Sequence, residues 1–130
     1  MNSSVKEWLK LAKDDLEAAQ NLIHLYHLTN IIAWHSQQCV EKSFKAVLEY
    51  FKMDVLHTHD LLKLHKLIEK KLTFNIDEPS LIEINEIYSE TRYPSLAGST
   101  PYGQPSAEEA TKFLEFAEYI YNNILKQVSD

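Results

Sequence analysis

Apolar residues recur every three or four positions through most of the chain, which is the spacing of amphipathic α-helices. The first predicted helix begins at a capping box formed by Ser4 and Glu7 and runs to about Tyr26. A second helix is predicted from just after Asn30 to about Lys52. The spacing assigns to the inner face of the first helix Trp8, Leu11, Ala12, Ala19, Leu22, Ile23 and Tyr26, with Asp15 and Leu16 at its edge. It assigns to the inner face of the second helix Ala33, Gln37, Val40, Phe44, Val47, Leu48 and Phe51.

Two shorter helices are predicted next. The third covers about residues 60–71, begins at a cap near His59 and Asp60, and has an inner face of Leu61, Leu64, Leu67 and Ile68. The fourth follows an Asp77 cap and carries a proline in its first turn. It is predicted to end near Arg92, because Pro94 disfavours helical geometry in the residue before it.

The last predicted helix opens at a second capping box, formed by Ser106 and Glu109. Most glycines and prolines fall just before it, within residues 94–105, so this stretch is predicted to be the one long loop. No segment shows the period-two alternation of a half-buried strand. The predicted fold is therefore all-α: an up-and-down bundle of about five helices, three long and two short, in one domain of residues 1–130.

The net charge is −6, but it is unevenly distributed along the chain. Residues 30–75 carry seven lysines against five acidic side chains, whereas residues 76–130 carry three basic side chains against ten acidic ones. Without a dominant basic field, a nucleic acid is a less favoured partner than a local anion at the middle segment. The single cysteine excludes an internal disulfide, and no apolar run has the length of a membrane span. We expect a cytoplasmic protein that does not associate with a membrane.

Four polar side chains follow one face of the second predicted helix, and we call them the polar strip: Gln38, Glu41, Lys42 and Lys45. One interpretation is a solvated surface with a Glu41–Lys45 pair that contributes about 0.3 kcal/mol. The other interpretation is the wall of a groove in which the lysines contact phosphate. The residue spacing alone leaves both open.

Histidine and cysteine residues give weak signals for metal binding or catalysis. His57, His59 and His65 lie close together in sequence, but zinc needs three or four ligands that converge on one point, and the spacing fits no known zinc motif. His35 and Cys39 are one helical turn apart, yet a lone cysteine among apolar neighbours is typical of a small buried side chain. We therefore expect no metal, no cofactor and no cysteine nucleophile.

Arg92 is the only arginine, and the other twelve basic residues are lysines. A cation near a helix C-terminus is stabilised by the helix dipole, a role that lysine fills equally well. Arginine adds a planar fork suited to bidentate contacts with carboxylate or phosphate and to stacking on rings such as Tyr93. We interpret Arg92 as a binding residue, with a structural salt bridge or cap as the alternative.

Five short motifs in order along nearly the whole chain resemble HEPN domains, small helical domains named for higher eukaryotes and prokaryotes nucleotide-binding. They are W-L-x-L-A-x-x-D-L-x-A-A at 8–19, Q-Q-x-x-E-K-x-x-K-A at 37–46, T-H-D-L-x-x-L at 58–64, R-Y-P at 92–94 and E-E-A at 108–110. The resemblance implies a helical bundle that commonly forms a homodimer with a groove at its interface. It also implies kinship with ribonuclease toxins that are inhibited by a partner nucleotidyltransferase of the minimal type.

The catalytic signature that the resemblance implies is an arginine followed within a few residues by a histidine, and this chain departs from it. None of its six histidines lies C-terminal to Arg92, so the acid or base of that motif is absent. We therefore expect the non-catalytic branch: a nucleotide- or partner-binding module that acts with a minimal nucleotidyltransferase in a toxin–antitoxin-like pair. The matched motifs give the candidate ligand-binding residues Gln38, Glu41, Lys42, Lys45, His59, Arg92 and Tyr93, with no catalytic residue. Two alternatives stay open: a ribonuclease with a non-standard base such as His59 or His65, and a purely structural homodimeric assembly domain.

Overall fold

The computed structural model describes residues 1–88 and 104–129, and all regular structure within these ranges is helical. The α-helices are α1 (Ser3–Leu22), α2 (Thr29–Tyr50), α3 (Leu61–Ile68), α4 (Glu78–Asn85) and α5 (Ala107–Val128). Short 3₁₀ turns occupy Tyr26–Leu28 and Glu69–Lys71. The prediction of an all-α bundle with three long and two short helices is confirmed. No helix in the described ranges has both the length and the apolar character needed to cross a bilayer.

Helix α2 is the central element of the bundle, and α1, α3, α4 and α5 all pack against it. A helix surrounded in this way is normally apolar on every side. The buried residues of α2 nevertheless include six polar ones: Thr29, Ser36, Gln37, Glu41, Ser43 and Lys45. Several of these groups find their partners close by: Ser36 donates to the Ile32 carbonyl and Lys45 pairs with Glu41, both within α2, while Gln37 reaches the His59 carbonyl.

Three of the predicted helix starts are confirmed. The Asp60 carboxylate accepts hydrogen bonds from two backbone N–H groups at the start of α3. Asp77 accepts one from the backbone of Ser80 at the start of α4. Ser106 and Glu109 form the reciprocal capping box that opens α5.

The start and the end of α1 differ from the prediction. The cap is Asn2, whose side-chain oxygen accepts a hydrogen bond from the Val5 N–H at 2.9 Å, so the predicted Ser4–Glu7 capping box is wrong. Asn2 has extended backbone angles and its side chain caps the helix, so α1 begins at Ser3, before the predicted cap at Ser4. The helix ends at Leu22, and Tyr26 is exposed in the 3₁₀ turn instead of facing the core.

Helix α2 ends at Tyr50, slightly before the predicted end near Lys52. Lys52 has φ of 56°, the only positive φ of a non-glycine residue in the described ranges. The Met53 N–H bonds to the Leu48 carbonyl at 2.8 Å, and the Lys52 N–H bonds to the Glu49 carbonyl at 3.1 Å. This is the Schellman arrangement, which ends a helix with one left-handed residue that is usually glycine.

Two expectations about inner faces are also corrected. Leu67 on α3 is exposed, because this helix is eight residues long and buries only Leu61, Leu64 and Ile68. Asp15 and Leu16, predicted to lie at the edge of the α1 stripe, are both buried. The contact between α1 and α2 therefore includes a carboxylate.

The segment that precedes α3 is tied to the end of α4. The Asn85 side chain accepts a hydrogen bond from the Leu61 N–H at 2.7 Å and donates one to the Asp60 carboxylate at 3.2 Å. Residues 104 and 105 are held at the start of α2, where Gln104 donates to Thr29 Oγ1 and Thr29 donates to the carbonyl of Pro105. The segment that precedes α3 also contacts the polar strip of α2, because His59 lies within hydrogen-bonding distance of Glu41.

The corrected start of α1 can be tested by substituting Asn2 and Ser4 separately. Asn2→Ala should lower the free energy of unfolding by about 1 kcal/mol, because it removes the cap of α1. Ser4→Ala should change it by less than about 0.5 kcal/mol, since Ser4 is an exposed residue of the first turn. Urea denaturation followed by far-UV circular dichroism measures both values. A larger loss for Ser4→Ala than for Asn2→Ala would contradict the assigned cap.

Candidate functional site

Two buried carboxylates organise the polar side chains of α2. Asp15 reaches α2 from α1, and Glu41 lies on α2 itself. Each carboxylate contacts one lysine and one histidine. We call Asp15, His35 and Lys42 the Asp15 cluster, and Glu41, Lys45 and His59 the Glu41 cluster.

In the Asp15 cluster, one carboxylate bridges two basic side chains of α2. Asp15 Oδ1 lies 2.8 Å from His35 Nδ1, and Oδ2 lies 2.6 Å from Lys42 Nζ. The side chain of Asp15 is only 11% exposed, whereas those of His35 and Lys42 are 28% and 23% exposed. The cluster therefore places a buried acid beneath two bases that reach water.

In the Glu41 cluster, the lysine is more buried and the histidine more exposed than in the Asp15 cluster. Lys45 Nζ lies 3.1 Å from Glu41 Oε2, and His59 Nδ1 lies 3.0 Å from Glu41 Oε1. The side chains of Glu41 and Lys45 are 4% and 8% exposed, whereas that of His59 is 50% exposed. Lys45 also lies 5.5 Å from the centre of the Trp8 ring, a cation–π contact that covers it from the α1 side.

Three rings stack at the edge of the Glu41 cluster. The His59 and Tyr88 rings lie 4.1 Å apart at an angle of 14°, and Tyr88 and Trp34 lie 5.3 Å apart at 28°. His59 is therefore fixed twice, through Nδ1 by the buried carboxylate and through one ring face by Tyr88. A carboxylate contact at Nδ1 places the ring proton on that nitrogen and leaves Nε2 as the second functional atom of the ring.

The two neighbouring glutamines contribute differently to this surface. Gln37 is buried, and its amide nitrogen lies 3.5 Å from Glu41 Oε1 and 3.4 Å from the His59 carbonyl, both long contacts. Gln38 is half-buried and donates to the Gln37 side chain at 2.7 Å. Gln37 thus belongs to the packing of the bundle, while Gln38 takes part in the surface between the two clusters.

The structure brings five of the seven predicted binding residues together along α2: Gln38, Glu41, Lys42, Lys45 and His59. The interpretation of the polar strip as a solvated surface is wrong for Glu41 and Lys45, because their predicted pair forms but is buried. Lys42 and Lys45 each form an ion pair with a carboxylate. Arg92 and Tyr93 lie outside the described residues, and a ligand role for the whole set stays a prediction.

Cys39 behaves as the sequence predicted, as a small buried side chain. Burial raises the pKa of its thiol to about 12, so the thiolate needed for nucleophilic attack is essentially absent near neutral pH. His35 contacts Asp15 and is not paired with the thiol. Among residues 1–88 and 104–129, no three histidine, cysteine, aspartate or glutamate side chains are grouped so that they could hold a metal ion.

Sequence reasoning missed Asp15, His35, Trp34 and Tyr88 as members of this surface. Asp15 carried a usable signal, because Ala12 and Ala19 flank it on the apolar side of α1 at helical spacing. An acid at such a position has to meet a cation from another element. The stacking of Tyr88 on His59 had no such signal, since it depends on how the end of α4 meets the segment before α3.

Comparisons with known proteins agree with this architecture. A family model described as HEPN domain matches residues 5–128. The crystal structure of ST0689, described as an archaeal HEPN homologue, superposes with a TM-score of 0.73 at 23% identity, over 96% of this chain and 98% of that chain. The crystal structure of TT1696 from Thermus thermophilus superposes with a TM-score of 0.74 at 23% identity, over 98% of this chain and 99% of that chain. At such identities the likeness to these two structures establishes the fold alone.

One curated relative matches a shorter stretch. It is named "Putative toxin MJ1304", from Methanocaldococcus jannaschii, and it is 49% identical over 43 residues. The match covers 33% of this chain and 28% of the relative, so this chain spans less than a third of that protein's length in the comparison. The word toxin in this name refers to the M. jannaschii protein.

The burial of the Glu41 cluster predicts an unusually large effect for a charge-removing substitution. Glu41→Gln keeps the size of the side chain but leaves the Lys45 ammonium buried without a carboxylate, so the free energy of unfolding should fall by about 3 kcal/mol. The matched control is Asp14→Asn in the Lys10–Asp14 pair, which has the same spacing but side chains 68% and 54% exposed. The control should cause no measurable change in urea denaturation. Equal effects of the two substitutions would contradict the buried pairing.

Proposed function

Because the chain belongs to the HEPN family, we propose that it is a non-catalytic HEPN-type module that binds a nucleotide or a partner protein on the polar face of α2. The observation that carries the proposal is the geometry of His59. Half of its side chain is exposed, while Glu41 holds Nδ1 and Tyr88 covers one ring face. A group fixed before binding loses little conformational entropy when a ligand arrives, which favours affinity.

The residues of this face divide into those that meet the ligand and those that hold the others. His59, Gln38 and Lys42 have exposed surface and polar atoms that can contact a ligand. Glu41 and Lys45 are buried, so the proposal assigns them to positioning, with Glu41 orienting the imidazole and Lys45 balancing the charge of Glu41. The stack of rings beside them offers apolar surface next to these polar groups.

The proposal includes Arg92 and Tyr93 in the same binding region. Tyr88, which contacts His59, precedes Arg92 by four positions in the sequence. A guanidinium binds phosphate or carboxylate through two parallel hydrogen bonds, which suits either a nucleotide or an acidic surface of a partner. The tyrosine ring would stack on a base or pack against the partner.

For the partner, we propose a minimal nucleotidyltransferase in a toxin–antitoxin-like pair, with this chain acting as a homodimer. Two observations support a toxin-like setting: membership of the HEPN family, and the printed name of the M. jannaschii relative. The lack of any histidine C-terminal to Arg92 supports binding in preference to cleavage, because the arginine–histidine pair of the ribonuclease signature is incomplete.

Calorimetry with ATP and GTP tests the binding function. The wild-type chain should bind at least one of them, and Arg92→Ala and His59→Ala should each weaken binding about tenfold, the usual effect of losing a charge-assisted hydrogen bond. His57→Ala is the matched control, because His57 is exposed two residues before His59 and lies outside the Glu41 cluster. It should leave the affinity unchanged. Absence of binding, or equal affinities in all four proteins, would refute the nucleotide role.

A second candidate function is favoured by one observation, the Glu41–His59 contact. A buried carboxylate that orients a half-exposed imidazole is the arrangement of a general base. In a ribonuclease, His59 Nε2 would take the proton of a ribose 2′-hydroxyl as that oxygen bonds to phosphorus. The 5′-oxygen of the next nucleotide would leave and take a proton from water.

An RNA cleavage assay separates this candidate from the binding function. If the chain is a ribonuclease of this kind, His59→Ala should reduce the cleavage rate at least about a hundredfold, as expected when a general base is lost, while His57→Ala should not. Arg92→Ala should also slow cleavage if the arginine holds the scissile phosphate. Activity that survives both His59→Ala and Arg92→Ala would come from another site or a contaminant. A chain that neither cleaves RNA nor binds nucleotides would be left with the partner-binding role or the structural assembly role.

A further inference from the structure

The Asp15 cluster presents two basic groups at the seam between α1 and α2. His35 and Lys42 lie two helical turns apart on α2, and both contact the same carboxylate, one at each oxygen. Each oxygen of Asp15 therefore has a short polar contact, at 2.8 Å and 2.6 Å. Asp15 thus holds the two basic side chains at fixed positions, as supporting residues do for the contacting groups of a binding site.

Each base keeps hydrogen-bonding capacity on its outer side. The contact with Asp15 uses Nδ1 of His35, so Nε2 is the ring nitrogen that remains. The Lys42 ammonium has three donors, and Asp15 is its one hydrogen-bond partner among residues 1–88 and 104–129. Both side chains are about a quarter exposed, at 28% and 23%, so both reach solvent at the same seam.

The balance of charge at this cluster favours an anion. One carboxylate faces two basic groups, so the cluster is neutral with a neutral imidazole and carries one positive charge with an imidazolium. An anion that contacts both His35 and Lys42 would give these two basic side chains a second acceptor beside the Asp15 carboxylate. Phosphate fits this need, because it accepts several charge-assisted hydrogen bonds at once.

A comparison with the Glu41 cluster shows why the seam is the better anion site. Both clusters contain one carboxylate, one lysine and one histidine. In the Glu41 cluster, however, the lysine side chain is only 8% exposed and lies under the Trp8 ring, so an anion reaches His59 but not Lys45. Only the Asp15 cluster offers both of its bases to solvent.

We propose that His35 and Lys42, positioned by Asp15, form a binding site for the phosphate group of a nucleotide, with inorganic phosphate as its minimal ligand. This assignment rests on the proposed nucleotide-binding function, and it moves the phosphate contact from the buried Lys45 to His35. Asp15 is a positioning residue in this site and does not contact the ligand.

The first test uses the unmodified chain and NMR signals of its histidine side chains. Inorganic phosphate and AMP should shift the His35 ring signals along saturating curves, while adenosine and sodium chloride should leave them unchanged. The His57 ring, which is exposed outside both clusters, provides the internal control. If the His35 ring signals shift with neither phosphate nor AMP, the proposal is overturned. Because no residue is substituted, that result could not come from a folding defect.

The second test uses variants and calorimetry with AMP. His35→Gln and Lys42→Gln should each weaken AMP binding about tenfold, while Lys63→Gln on the exposed face of α3 should not. Equal AMP affinity in His35→Gln and wild type would overturn the site while leaving nucleotide binding intact. A phosphate response at His35 in a chain that binds neither ATP nor GTP would instead refute the proposed function and keep the anion site. Loss of both responses would refute both.

Discussion

The interaction on which the rest of this structure depends is the pairing of two buried carboxylates with the basic side chains of α2. Helix α2 is surrounded by four other helices, so any charge on its inner sides needs a partner within the bundle. Asp15 supplies that partner from α1, and Glu41 supplies it from α2 itself. Asp15 thereby links α1 to α2, and Glu41 links α2 to the segment before α3.

The same pairing decides which groups can meet a ligand. Lys45 is buried and not accessible to a ligand, since Glu41 and the Trp8 ring enclose it. His35, Lys42 and His59 are held from below but keep exposed surface. The polar face of α2 thus carries side chains that are oriented by buried carboxylates, and not a surface of mobile charges. Cys39 takes no part, because burial keeps its thiol protonated.

The sequence was sufficient to predict the fold and insufficient to predict the site geometry. Helical periodicity and the residues Asp60, Asp77 and Ser106 located the helices well, because caps and apolar spacing are local signals. The polar strip was found for the same reason. The burial of the polar strip could not be predicted. Whether Lys45 lies in solvent or under Trp8 depends on the packing of α1, which is a contact between residues far apart in the chain. The stacking of His59 on Tyr88 depends likewise on the meeting of two separate elements.

The central claim is that buried carboxylates hold the imidazoles of His35 and His59 through Nδ1. The most direct measurement is the tautomeric state of both rings in the neutral form, read from two-dimensional NMR correlations of the ring nitrogens with the ring protons. We predict a proton on Nδ1 in both residues, with Nε2 as the bare nitrogen. The opposite pattern in exposed His57 would give a reference within the same chain. Protonation of Nε2 with a bare Nδ1 in His35 and His59 would contradict the account, because neither ring could then donate to its carboxylate.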